Sequence, residues 1–234
     1  MILATALAIA CVAAFLWLSL RIHPLRNLVC RFIGLRRGAR WRRSVIAEHE
    51  GIRIADCSYR KDLQPAFVRG ITRALELVAK KDPRRYLRIR RHLGFIVHHE
   101  LDGGKAAYDR WPSGCVVDFD KYEFDESPET AVFLLAASLV HEATHGRLSL
   151  RRGVSGGLPA QVRMKMERIC LLEEARFANR VDPRFGKVYQ RTVFRSERWR
   201  TWYEQRDRRT EWQKFTGIVR RFLESQGASN KNAR

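Results

Sequence analysis

Ten consecutive residues without a charge, Ala131 to Val140 (AVFLLAASLV), run unbroken into His141-Glu142-Ala143-Thr144-His145, and this junction constrains the chain more than any other. A helix that apolar has to be buried, so it carries the polar pentad into the interior with it. Buried imidazoles and carboxylates require partners or a metal. In a helix, residues four apart are offset by roughly 40° around the axis and about 6 Å along it, so both imidazoles can reach one ion. Glu142 lies about 100° further round and can face a water at that ion, where a carboxylate serves as general base. The pattern points to zinc held by His141 and His145, with Glu142 as the base. The plain alternative is a His-Glu pair on an ordinary helix.

A catalytic zinc takes a third protein ligand and keeps a fourth position open. Gln161 to Asn179 (QVRMKMERICLLEEARFAN) has apolar residues at helical spacing and contains Glu167, Glu173 and Glu174. Glu167 and Glu174 are seven apart and share a face with Cys170, whereas Glu173 sits about 100° from Glu174 and can point to solvent. Glu174 is therefore the expected ligand and Glu173 the second choice. Glu167 is expected to accept a hydrogen bond from a ligand imidazole, which fixes the ring's orientation. The alternative is that all three acids only balance nearby arginines.

HEATH followed by a glutamate-bearing helix resembles the gluzincin clan of zinc peptidases over roughly residues 93–180. The resemblance implies a minimal core made of a short twisted sheet, the HExxH helix and a glutamate helix. It implies His141, His145 and one of Glu173 or Glu174 as zinc ligands, Glu142 as base, and a peptide or protein substrate. Thermolysin-like members carry an acid four residues after the ligand glutamate, but here that position is Ala178 after Glu174 or Phe177 after Glu173. No histidine follows His145, which excludes the metzincin arrangement.

The expected fold is α+β, a mainly helical zincin-like domain over residues 49–224 with a small twisted sheet beside the HExxH helix. Leu93 to His99 and Gly114 to Phe119 read as strands, separated by turns at Gly103-Gly104 and Trp111-Pro112-Ser113-Gly114. By the resemblance, residues 115–119 would be the edge strand that pairs with an extended substrate. Asp62 to Lys81 reads as an amphipathic helix with Leu63, Phe67, Ile71, Leu75 and Val78 inward, ended by Asp82-Pro83. Residues 225–234 read as a disordered tail. For the oxyanion stabiliser, Tyr189 is the candidate because it closely follows the glutamate helix; Tyr203, His98 and His99 are also available.

Residues 2–20 carry no charge and at 1.5 Å per residue span about 29 Å, so 1–20 is expected to be a transmembrane helix. Residues 21–48 then form a basic juxtamembrane linker with eight arginines between Arg21 and Arg43 and no acid there, which places the body on the cytoplasmic side. The 45 basic and 25 acidic residues give a net charge of +20, suited to anionic lipid headgroups or nucleic acid. Arg195 to Arg209 interleaves Trp199, Trp202 and Tyr203 with arginines, a surface that could stack bases. Helical spacing explains the same aromatics more simply as an apolar stripe. The five cysteines include no CxxC pair, which argues against a disulfide framework or a zinc ribbon, and Cys170 reads as a packing residue.

Three functions compete at this point. They are a membrane-anchored zinc peptidase, a zinc-holding binding module without turnover, and a basic membrane-surface or nucleic-acid-binding protein with an accidental motif.

Overall fold

The computed structural model describes residues 23–101, 104–122, 127–152, 160–184 and 186–187. Asn27–Ser196 form one compact unit; the other, Met1–Arg26 with Glu197–Arg234, lies outside the described residues except for 23–26. The chain order is α1 (His23–Arg43), β1 (Val45–His49), β2 (Ile52–Asp56), a short 3-10 turn, α2 (Gln64–Lys81), α3 (Pro83–His92) and β3 (Phe95–His98). It continues through β4 (Ala106–Arg110), β5 (Ser113–Val117), α4 (Pro128–Arg152) and α5 (Ala160–Val181).

The strands form one mixed sheet in the order β1-β2-β3-β5-β4. β1 and β2 make an antiparallel hairpin whose turn places Glu50 at φ 46° and Gly51 at φ 84°, the left-handed pair that matches strand twist. β3 runs parallel to β2, and α2 and α3 provide the long connection that parallel neighbours require. β5 is parallel to β3, and β4 returns antiparallel along its far side.

Pleating sorts the side chains between two cores. Ile54, Ile96, Cys115 and Val117 face the helices, where Phe67, Ile71, Leu75 and Val78 of α2 meet Leu135 and Leu139 of α4. Ala55, Phe95 and Val97 point the other way and are covered by Trp41 of α1. Coverage on both faces explains why all four residues of β3 are buried. α2 and α3 meet at Asp82, whose carboxylate accepts a 3.2 Å hydrogen bond from the Arg85 backbone N–H while Pro83 opens α3.

The α+β sheet-and-helix architecture is present, but the membrane-spanning part of the expectation is corrected. No helix among the described residues is long and apolar enough to cross a membrane, and residues 1–20 themselves lie outside the described residues. The reading as a single-pass membrane protein with a cytoplasmic body is corrected with it. The reason is visible in α1 and α4. α1 is studded with arginines, and the apolar run of α4 covers about half of the roughly 20 residues a span needs before the polar pentad begins. That run is used up in the core.

Two further expectations change. Residues 115–119 are not an edge strand: β5 lies between β3 and β4, and the edge is β4. The stretch read as a basic linker contains helix α1 and strand β1. The tail at 225–234 and the Arg195 to Arg209 segment lie outside the described residues.

Candidate metal centre

Position comes first from α4. It packs against α2, α3, β4 and α5, so its pentad sits where sheet and helices converge. Immediately after His145, Gly146 lies against His92 and Tyr108; a Cβ there would stand 2.9 Å from the His92 Cβ, so only glycine lets α4 approach this closely. Thr144 is fully buried and donates to the Val140 carbonyl oxygen at 2.8 Å, which locks its side chain onto its own helix.

His141 and His145 project side by side, with Nε2 atoms 3.1 Å apart and ring centroids 4.9 Å apart. The Glu167 carboxylate bridges them, Oε1 lying 3.3 Å from His141 Nε2 and Oε2 lying 3.1 Å from His145 Nε2. Glu174 approaches from the other side of the first ring, with its Oε2 2.9 Å from His141 Nδ1. Glu173 faces neither imidazole. It accepts from Arg85 at 3.1 Å, Arg88 at 2.6 Å and Arg176 at 2.7 Å.

These distances place the two acids of that helix on different sides of the histidine pair. Glu174 was the expected ligand and Glu167 the expected orienting acceptor, but Glu167 lies on the Nε2 side shared by both rings and Glu174 on the Nδ1 side of one. Glu173, the second choice, is turned into the arginines. The cause is helical phase: Glu167, Cys170 and Glu174 lie on one stripe of α5, and that stripe crosses α4 so that the earlier residue meets the pentad's open side.

The donor set fits a zinc ion. Ligand atoms at about 2.0–2.1 Å from zinc in tetrahedral geometry stand about 3.3 Å from one another; His141 Nε2 and His145 Nε2 are 3.1 Å apart, and Glu167 turns one oxygen to each, at 3.3 and 3.1 Å. Glu174 at Nδ1 supplies the carboxylate that orients a ligand imidazole. The Cys170 thiol is also close, since its Sγ and a nitrogen of each histidine all lie within 4.8 Å of one another.

Electrostatics show a strongly coupled cluster. Burial disfavours charge on His141, yet hydrogen bonds to Glu167 and Glu174 outweigh it and hold the ring's proton well above the ordinary histidine range. Burial alone would raise Glu167, but its hydrogen bonds with both rings hold it far below the usual carboxylate range. Burial pushes Glu142 up; the His141 and His145 rings pull it back, Glu167 and Glu174 push again, and the net shift is upward.

Glu142 lines a cavity of about 280 Å³ together with His141, Glu174, Leu134, Ser138, Lys105 and Ala106. The cavity therefore joins the pentad to the first residue of β4, the edge strand. Beside it stands Tyr122, buried and close enough to Glu142 and Glu174 to feel their charge. The Lys105 ammonium sits 5.3 Å from the centre of the Tyr122 ring. No sequence signal marked Lys105, Ser138 or Tyr122. For Cys170 there was one: it shares the stripe of the two glutamates.

The remaining candidates lie elsewhere. Tyr189 and Tyr203 are outside the described residues. His98 is buried between Phe67 and Phe119, with Nδ1 3.5 Å from Asp56, and takes no part in the centre. His99 pairs with Glu100 at the surface. Compared with protein-family models, curated proteins and solved structures, the chain matches none.

Proposed function

We propose that the protein is a zinc-dependent hydrolase of peptide bonds, with His141, His145 and Glu167 holding the metal, Glu174 orienting His141, and Glu142 as general base. The observation that supports this most is the single one of Glu167: its carboxylate spans both Nε2 atoms at 3.1 and 3.3 Å, a spacing suited to one shared cation. Zinc supplies Lewis acidity and a more acidic water when bound. Every other task falls to the chain.

Glu142 lies at the wall of the cavity, where it can take a proton from the attacking water and hand it to the leaving amine. Lys105 is the cation in that wall and can hold an acidic group of a bound substrate there. The cavity, near the roughly 300 Å³ lower end of ligand pockets, is lined by His141, Glu142 and Glu174 but by neither His145 nor Glu167, so it suits a substrate side chain beside the metal position. The flanking peptide is held by β4, whose outer edge pairs with no other strand among the described residues.

The test has two parts. Purified full-length protein should contain one zinc per chain, lost in His141→Ala. Digestion of a mixed peptide library should stop in Glu142→Gln while that zinc remains. Zinc retained without any library cleavage, in the natural sequence and in Cys170→Ala alike, would replace hydrolysis with a metal-holding role.

A further inference from the structure

We propose that Cys170 is a fourth protein ligand of this centre, its thiolate sharing with water the one position that His141, His145 and Glu167 leave open. The inference rests on the zinc reading above and adds to it that the resting site is closed and latent.

The argument begins on α5. Cys170 is three residues after Glu167 and four before Glu174, and both of those carboxylates reach His141. Residues so spaced share one helical face. Cys170 therefore projects toward the pentad, fully buried and unbridged. Its Sγ and a nitrogen from each histidine fall within 4.8 Å of one another. Zinc bonds of about 2.3 Å to sulfur and 2.0–2.1 Å to nitrogen put the two ligand atoms about 3.6 Å apart at tetrahedral angles. The observed separations exceed that spacing by no more than about 1 Å.

The other buried cysteines have different surroundings. Cys115 stands on the central strand β5, where its Sγ lies 3.7 Å from the Val116 carbonyl oxygen. Cys57 packs with Trp41, Phe95 and Val97 on the opposite face of the sheet. Only Cys170, among the described cysteines, is placed with two imidazoles.

Chemistry gives the consequence. Zinc with three protein ligands keeps a place for water, whereas zinc with four is closed. A thiolate is a stronger zinc ligand than water, so the bound sulfur excludes the nucleophile until it detaches. The same four residues thus offer a closed state with sulfur on the metal and an open state in which Glu142 has a water to deprotonate.

Cobalt(II) in place of zinc tests this without any substrate. Full-length protein loaded with one cobalt per chain is expected to show a near-ultraviolet thiolate-to-cobalt charge-transfer band. That band should be lost in Cys170→Ala and in the bulkier Cys170→Val, and kept in Cys115→Ala, with cobalt content unchanged in all three. Cobalt bound without the band, or a band that survives in both Cys170 variants, overturns the role of Cys170 and leaves the zinc reading standing. Failure of the natural sequence to bind cobalt or zinc at all overturns both.

Discussion

Glu173 and Glu174 are joined by one peptide bond and belong to two different ionic clusters. Glu173 enters a cluster with Arg85, Arg88 and Arg176, where Arg85 also pairs with Asp82. Glu174 joins Glu167, His141 and His145. The first cluster sets carboxylates against guanidiniums that never lose their charge, so it is complete as folded. In the second, carboxylates face imidazoles that are neutral at ordinary pH unless held protonated, and a metal can take the proton's place. One cluster clamps α3 to α5, and the other is the one proposed above to receive a cation. Arg88 links them physically, since its guanidinium reaches Glu173 at 2.6 Å and the Thr144 hydroxyl at 3.4 Å.

The largest effect that could break this contrast is catalytic. Glu142→Gln is expected to lower peptide turnover by about 10²–10⁴, the usual range for losing a general base, with zinc content unchanged. The measurement belongs in the Cys170→Ala background as well as the natural one, because a closed site would mask it.

Zinc affinity sharpens the contrast residue by residue. Glu167→Gln should lose stoichiometric zinc, Glu174→Gln should weaken binding by about 10–100-fold as an orienting partner does, and Glu173→Gln should leave it unchanged. Competition with a chromogenic chelator reads all three. Equal losses at Glu167 and Glu174 would erase the division of labour drawn between them, and a loss at Glu173 would merge the two clusters into one.

Stability should respond in the opposite order. Burial alone would raise the Glu173 carboxyl, but Arg88, Arg176 and Arg85 together hold it down at about 2. A carboxyl lowered on folding contributes stability that is fully present above its unfolded value, near 4.5, and is lost as pH falls toward 2. Glu173→Gln should therefore cost about 2 kcal/mol at neutral pH by urea denaturation, and the acid-dependent part of that difference should vanish by about pH 2. A difference that does not change with pH would mean the charge is not what matters.

The smallest effect provides the control. Arg73 and Glu129 form an exposed pair at 2.5 Å, with side chains 46% and 82% exposed, and Arg73→Ala should cost less than about 1 kcal/mol.

Periodicity made some of the fold legible. The α2 stripe was readable because Phe67, Ile71, Leu75 and Val78 recur at helical spacing and all are buried, whereas Leu63, expected with them, falls in the 3-10 turn before the helix and is only half-buried. Strands β3 and β5 announced themselves by short β-branched runs. β1, β2 and β4 did not, since VIAEH, IRIAD and AAYDR mix charge with small residues and are defined by their partners more than by their own composition. α3 was hidden in an arginine-rich run for the same reason: its buried Tyr86 and Ile89 are few, and its cap at Asp82 looked only like the end of α2. Which strand forms the edge is a property of sheet order, and no residue in β5 records that β4 folds back beside it.

What the sequence alone determined is local. Two imidazoles four apart on a helix share a face whatever surrounds them, the base between them points elsewhere, and the apolar spacing of residues 161–179 puts the three glutamates on the following helix at phases that 3.6 residues per turn fixes. What only tertiary structure decided is which of those glutamates meets the histidines, and with which face. That choice depends on the rotation and crossing of α5 against α4, set by the packing of apolar side chains along both helices. Glu167 came to the Nε2 side, Glu174 to Nδ1 and Glu173 to the arginines through that packing.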